Sequence, residues 1–296
     1  MTPLGNALVV RQAHHESYSM TDPIFIERNG HRTWLKWHRA RRRVGDPAFT
    51  GSRIREGMRL GASVEVDLVV HGDRGFAVLH DLTADRGTTG TGRIAELGAA
   101  ELRGFYLRRQ DGTPLDERVM LLEDLCALLA QGRLHPDALL QLDYKEDWRM
   151  LDEAALTTFR QAVGPVAKHM ILSSGDAESV RLLTKDIPGI RIGYDPCHDG
   201  ALERLAQTRD FSGFVRDAVA ASPGAEMIYL AYQVVLEAYR LGFDIVAAFH
   251  AEGRRIDAYT INKVDAVSQR QVDQLLALKV DQITTDDAEG LKALVG

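Results

Sequence analysis

From Thr33 onward the apolar positions switch repeatedly between two patterns. Short runs that fit a strand include Thr33-Trp-Leu-Lys-Trp37, the stretch from Ser63 to His80, and Ala138-Leu-Leu-Gln-Leu-Asp143-Tyr-Lys145. Further strands are expected at 168–173, 190–194, Met227–Leu230, Arg255–Asn262 and Asp281–Asp286. Between them lie helical segments near Arg53–Leu60, Val119–Ala130, 152–162, 176–186, 200–219, Asp244–Ala251 and 265–278. The segment at Val119–Ala130 carries apolar residues at helical spacing, and Gly61 is a fitting C-cap for the first helix. Within Ser63–His80, the turn-forming His71-Gly-Asp-Arg-Gly75 predicts a hairpin. With that hairpin taken as one unit, eight strands alternate with helices. This predicts an α/β fold, a (β/α)₈ TIM barrel, although a doubly wound open sheet would give a similar alternation. Residues 31–296 would form the barrel, after a polar N-terminal extension at 1–30. The Thr-, Gly- and Arg-rich stretch at 82–118 is long for a barrel loop and predicts an insertion.

Composition narrows the picture without redirecting it. The chain has 296 residues, 45% hydrophobic and 26% charged, which suits one barrel of roughly 250 residues. A net charge of −6 argues against nucleic acid as a partner, with Arg39-Ala-Arg-Arg-Arg43 a local exception. Cys126 and Cys197 stand apart, with no zinc spacing. No apolar run approaches the roughly 18 residues of a membrane span. The only apolar patch in residues 1–30 is Ala7-Leu-Val-Val10, so no signal peptide is read there and a cytoplasmic location is expected. His14 and His15, in the same extension, are read as surface residues.

The chemistry concentrates at the predicted strand ends, where barrel enzymes place their active sites. Alternation puts Glu65 and Asp67 on one face of a strand. Two adjacent carboxylates repel unless a cation lies between them, and a hard divalent cation with oxygen ligands is the usual solution. The hairpin returns His80 to the same end. His38, Arg39, Asp143, Lys145, Asn262 and Asp286 also fall at strand ends. Carboxylates for a cation, cations for an anion and two histidines for proton transfer match phosphate ester chemistry. Each has a bland alternative: a lone exposed histidine is usually only surface, and Asp143 with Lys145 could be a structural ion pair. Arg41, Arg42 and Arg43 are read as surface groups, or substrate-facing at best.

These residues resemble the glycerophosphodiester phosphodiesterase family. Trp37-His38-Arg39 is similar to its His-Arg-Gly opening, and Glu65-Val-Asp67 through His80-Asp81 to its paired-acid and His-Asp signature. Thr88-Thr-Gly-Thr-Gly92 resembles the loop that follows, Asp143-Tyr-Lys145 the Glu-x-Lys, Tyr259-Thr-Ile-Asn262 the Trp-Thr-x-Asn, and Ile283-Thr-Thr-Asp286 the final strand. The resemblance runs from about residue 34 to 290 in the family's order. It implies a barrel with an inserted segment, a divalent metal and hydrolysis of phosphodiesters. The chain departs from the pattern at four places. Ala40 replaces the motif glycine, Ala48 and Phe49 stand in Pro47-Ala-Phe49 where the family has Pro-Glu-Asn, Asp143 replaces a glutamate, and Tyr259 replaces a tryptophan.

The resulting expectation is one Mg²⁺ or Ca²⁺ held by Glu65, Asp67 and Asp143. Arg39 and Lys145 grip the phosphate, His38 and His80 serve as acid and base in unassigned order, and Tyr259 and Asn262 line the substrate pocket. The expected substrate is a small soluble phosphodiester, of glycerol or of a sugar as in the agrocinopine-type opines. Thr88, Thr89, Thr91, Asp85 and Arg86 are expected to bind its hydroxyls. Two rivals stay open: a phospholipase-like lyase that releases a cyclic phosphate, and a binding protein on the same scaffold. Oligomeric state is not legible.

Overall fold

The computed structural model describes residue 22 and residues 24–296 of the chain. The Ala7–Val10 patch and the histidines at 14 and 15 lie outside the described residues.

The strands are β1 (Phe25–Arg28), β2 (His31–Trp37), β3 (Ser63–Val70), β4 (Phe76–Val78), β5 (Tyr106–Arg108) and β6 (Pro114–Arg118). After them come β7 (Leu139–Tyr144), β8 (Met170–Ser174), β9 (Arg191–Tyr194), β10 (Met227–Ala231), β11 (Arg255–Ile261) and β12 (Gln282–Thr285). Strands β2, β3, β7, β8, β9, β10, β11 and β12 pair in parallel around a ring that closes between β2 and β3. The chain is therefore a (β/α)₈ barrel. The mantle helices are α1 (Gly51–Leu60), α2 (Ala99–Gly104), α3 (Leu122–Ala130), α4 (Glu153–Val163), α5 (Ala177–Thr184) and α6 (Ala201–Thr208). They continue with α7 (Phe211–Ala221), α8 (Tyr232–Arg240), α9 (Ile245–Ala251), α10 (Ala266–Ala277) and α11 (Ala288–Val295).

Local chemistry explains the boundaries. Asp152, Asp176, Asp210, Asp244, Asp265 and Asp287 each precede a helix and accept a hydrogen bond from a backbone N–H in its first turn. Gly61 ends α1 in the left-handed region at φ +88°, as a C-cap glycine does. The single helix expected at 200–219 is two helices, because Arg209 turns left-handed at φ +54° and Asp210 caps a new start. Helix α8 was not anticipated.

Two hairpins adjust the expected outline. Strand β1 pairs antiparallel with β2, so the boundary read at residue 30 falls inside a hairpin that continues the sheet beyond the ring. Strand β4 pairs antiparallel with β3 and stops at Val78, leaving His80 beyond the strand end. Between β4 and α3 the chain forms α2 and a separate two-stranded sheet of β5 and β6.

The core divides in two. Outward residues of the barrel strands pack with the helices in one large apolar cluster. Inside the barrel, Ile171, Met227 and Tyr229 form a small separate cluster with Leu139 and Tyr259. Gly193 makes room there, since a Cβ on it would lie 2.4 Å from the Tyr229 ring. Most other inward positions are polar and lead up to the mouth. Among the described residues no helix is long and apolar enough to cross a membrane.

Candidate active site

The C-terminal ends of the parallel strands gather the predicted groups. Residues Glu65 and Asp67 point inward from β3, and the register sets Asp67 beside Asp143 on β7 and Asp143 beside Ser173 on β8. Ligand oxygens of Glu65, Asp67 and Asp143 all lie within 4.8 Å of one another. The carboxylates are held from several sides. The Arg39 backbone N–H donates to Glu65 Oε2 at 2.6 Å, and Arg39 Nε lies 3.2 Å from Asp67 Oδ2. Lys145 Nζ lies 2.8 Å from Asp67 Oδ1 and also contacts Asp143, while the Ser173 hydroxyl donates to Asp143.

This crowding divides the titration behaviour. Burial, reinforced by the neighbouring Asp67, pushes the Glu65 carboxyl well above its ordinary range. Burial acts on Asp67 in the same direction, but Lys145, Arg39 and His80 outweigh it and hold that carboxyl down at about 2. Burial would favour a neutral Lys145 amine, yet Asp143, Asp67 and Glu65 keep the ammonium charged.

Both histidines are anchored through Nδ1. That of His38, directly after β2, lies 2.7 Å from Asp286 Oδ1, which also accepts from Arg41 at 2.9 Å. Burial lowers the His38 pKa against the pull of Asp286. His80 Nδ1 lies 2.8 Å from Asp81, whose carboxylate is also bound by Arg86. In both cases Nε2 remains for a ligand. The two rings line different spaces. His38 faces the mouth cavity of about 410 Å³, together with Glu65, Asp143 and Lys145. His80 faces an adjoining groove of about 610 Å³ beneath the insertion, and Arg39 and Arg41 border both. Tyr259 and Asn262 line the mouth cavity.

Two departures from the family pattern have a backbone consequence. Ala40 sits at φ +59° and Phe49 at φ +61°, where the family's glycine and asparagine are tolerated far better than alanine or phenylalanine. Ala48 and Phe49 border the groove. The expectation that the threonines bind substrate hydroxyls is corrected at Thr88. Thr88 is fully buried, with its hydroxyl bonded to Ala84 O and Gly90 N–H, and Thr89 Oγ1 accepts from the Tyr106 N–H.

Several polar residues of the interior were missed. Beneath the mouth, Lys36 Nζ lies 3.1 Å from Asp257, 4.2 Å from the centre of the Tyr229 ring, and bonds Gln141. Gln141 donates to Ser173 at 2.8 Å, and Thr284 to Asp257 at 2.7 Å. Period-two alternation in Trp34-Leu-Lys-Trp37 and Arg255-Ile-Asp-Ala258 was the available signal, since it turns Lys36 and Asp257 inward. Also missed were Asp195 and His198 in the loop after β9, which ring order sets diametrically opposite β2. Nε2 of His198 lies 3.0 Å from Asp195 Oδ2, and that bond raises the His198 pKa. Both line the mouth cavity.

Comparison with known proteins identifies the family of the chain. A sequence profile described as the Glycerophosphoryl diester phosphodiesterase family matches residues 52–289. No curated protein matches the chain. Among solved structures, a glycerophosphodiester phosphodiesterase from Agrobacterium tumefaciens superposes with TM-score 0.60 at 19% identity, covering 88% of this chain and 98% of that one. The Thermotoga maritima glycerophosphodiester phosphodiesterase gives TM-score 0.60 at 19% identity, covering 88% and 96%. An Oleispira antarctica phosphodiesterase, solved with its product sn-glycerol-3-phosphate, gives TM-score 0.59 at 18% identity, covering 88% and 96%. At these identities the structures establish the shared barrel, and the profile across most of the chain establishes the kinship: the chain belongs to the glycerophosphoryl diester phosphodiesterase family.

Proposed function

We propose that the mouth of this barrel performs metal-dependent hydrolysis of a small phosphodiester, of glycerol or a sugar, to a phosphomonoester and an alcohol. The observation that carries the reading is the set of three carboxylates on adjacent strands, bracketed by Arg39 and Lys145 and flanked by His38. The donors suit a hard cation. All three are carboxylates, and both Asp67 oxygens are buried without a well-formed hydrogen bond, although the cationic side chains of Arg39 and Lys145 lie beside them. Glu65, Asp67 and Asp143 would therefore hold one Mg²⁺ or Ca²⁺. When bound there, such a cation supplies charge stabilisation to the phosphoryl oxygens.

The remaining chemistry belongs to the side chains. Arg39 offers a planar fork and Lys145 a point charge to the phosphate. Burial favours neutral His38, whose Nε2 takes a proton from the attacking hydroxyl as the new O–P bond forms. On the groove side, His80 gives a proton to the departing alkoxide as the old P–O bond breaks. The attacking oxygen belongs to water or to a neighbouring substrate hydroxyl; the second route passes through a cyclic phosphate. The product bound by the Oleispira antarctica relative supports glycerol as one alcohol.

Phosphorus NMR of sn-glycero-3-phosphocholine incubated with the protein and Mg²⁺ or Ca²⁺ tests the reading. Accumulation of glycerol 3-phosphate is expected. A cyclic phosphate as final product would select the lyase. No turnover of glycerol or sugar diesters with either metal would leave a binding protein.

A further inference from the structure

A diester has two substituents, and this site has two cavities. The mouth cavity and the groove beside His80 meet at Arg39 and Arg41, so a phosphate held there can send one substituent into each. The walls differ in chemistry. Tyr259, Asn262, Asp195 and His198 give the mouth cavity a mixture of donors and acceptors suited to hydroxyls. The groove instead sets five guanidinium groups, from Arg39, Arg41, Arg86, Arg108 and Arg109, against the carboxylates of Asp81, Asp85 and Asp111.

Three of these arginines already have partners: Arg39 with Asp67, Arg41 with Asp286, and Arg86 with Asp81. Arg108 and Arg109, at the end of β5, differ. The Arg108 Nε is buried without a hydrogen-bond partner, as are those of Arg39 and Arg41, but among the described residues Arg108 has no carboxylate paired with it. The hydrogen bonds of Arg109 among the described residues are backbone ones within its hairpin. Neither Asp85 nor Asp111 forms an ion pair with these arginines: Asp85 accepts from the Gly92 N–H, and Asp111 from the Thr113 N–H, a bond that lowers the Asp111 pKa with some help from the Arg109 charge. Ala48 also borders the groove, where the family motif has a glutamate.

An arginine pair on a hairpin is ordinarily a solvated surface. A half-buried Arg108 that lines a groove beside the reacting centre with no carboxylate paired to it is less ordinary, because buried polar groups are normally satisfied. We infer that Arg108 and Arg109 form a subsite for a second phosphate, carried by the substituent on the His80 side of the diester. Paired arginine forks fit a phosphate's several oxygens better than they fit a neutral polyol. The inference rests on the phosphodiesterase reading of the mouth and narrows its substrate class.

The test compares glycerophosphoinositol with glycerophosphoinositol 4-phosphate, which differ by one phosphate. In wild type, kcat/KM is expected to be roughly tenfold higher for the phosphorylated substrate, the size of one charge-assisted contact in a half-open groove. Arg108→Gln with Arg109→Gln should bring the ratio near one, and Arg108→Lys with Arg109→Lys should keep most of it. Because the readout is a ratio, a partial folding defect cancels. Hydrolysis of both substrates at equal kcat/KM, or a ratio unmoved by the glutamine pair, overturns the subsite while leaving the phosphodiesterase intact. If neither diester is hydrolysed, glycerophosphocholine turnover still decides the phosphodiesterase reading, and calorimetry decides the groove separately. Roughly tenfold tighter wild-type binding of inositol 1,4-bisphosphate than of inositol 1-phosphate, lost in the glutamine pair, supports it; equal binding refutes it.

Discussion

Two layers of buried charge lie one above the other inside this barrel. The lower layer is matched: Lys36 faces Asp257, and Gln141, Ser173 and Thr284 supply neutral hydrogen bonds around them. The upper layer is not, since Glu65, Asp67 and Asp143 outnumber Arg39 and Lys145. A matched buried pair needs no further charge and holds strands together. An excess of carboxylate is costly unless it keeps a proton or receives a cation. Glu65, with its strongly raised pKa, marks where the proton stays. The contrast separates structural charge from functional charge by balance, where burial alone would group them.

Breaking the lower layer should have the largest effect on stability. Lys36→Met leaves Asp257 buried without its cation, at a cost of about 3–5 kcal/mol. Urea denaturation measures it, and Lys36→Met with Asp257→Asn should recover a large part. A loss below about 1 kcal/mol would mean the pair is not structural.

On the upper layer the effects should appear in rate. Loss of His38 or of His80 is expected to slow turnover by about 10²–10⁴, and loss of both by much less than the product. Because burial lowers the His38 pKa, the acid limb of the pH–rate profile should have its midpoint below the ordinary 6.5. Wild-type turnover by His80→Ala on an unactivated diester would remove it from the mechanism.

Proton linkage gives a medium-sized effect. Glu65 has a folded pKa raised above the unfolded value, so folded protein holds an extra proton there. Its contribution to stability in metal-free protein should therefore fall as pH rises through the window starting near the unfolded value of about 4.3. Asp67 acts oppositely: its contribution is present above the unfolded value and is lost as pH falls towards about 2. A cation entering the upper layer should expel the Glu65 proton. Calorimetric titrations near pH 6 in buffers of different ionisation enthalpy would detect that release, and its absence would contradict the assignment of the excess charge.

The smallest effect lies at the rim. Ala40→Gly should stabilise the fold by about 0.5–1 kcal/mol by relieving a left-handed alanine at φ +59°. Thermal denaturation would show an unchanged or lower midpoint if the strain is absent.

How much of this was legible depended on whether the signal was local. Period-two alternation sufficed for Glu65 and Asp67, and Gly61 was visible as a C-cap, whereas the aspartates that cap the helices offered a local signal that was not read. Lys36 and Asp257 obey the same alternation, but only closure of the barrel gives their inward face meaning. Thr88 looked available to a ligand because burial of the insertion arises from packing against distant segments. His198 and Asp195 escaped notice because a short polar loop after β9 has no pattern of its own, and only ring order sets it across from His38. The arginine groove likewise exists only once β5 and β6 fold back beside His80.

The central claim is that the unbalanced upper layer is a divalent cation site required for phosphodiester hydrolysis. It is tested most directly by stripping the protein with chelator and titrating Mg²⁺ or Ca²⁺ while following glycerophosphocholine turnover in wild type and Glu65→Gln. Glutamine imitates the protonated Glu65 of the metal-free protein, so the variant should fold normally. The account predicts negligible turnover in chelator, saturable recovery in wild type and no recovery in Glu65→Gln; full turnover in chelator, or full recovery in the variant, would contradict it.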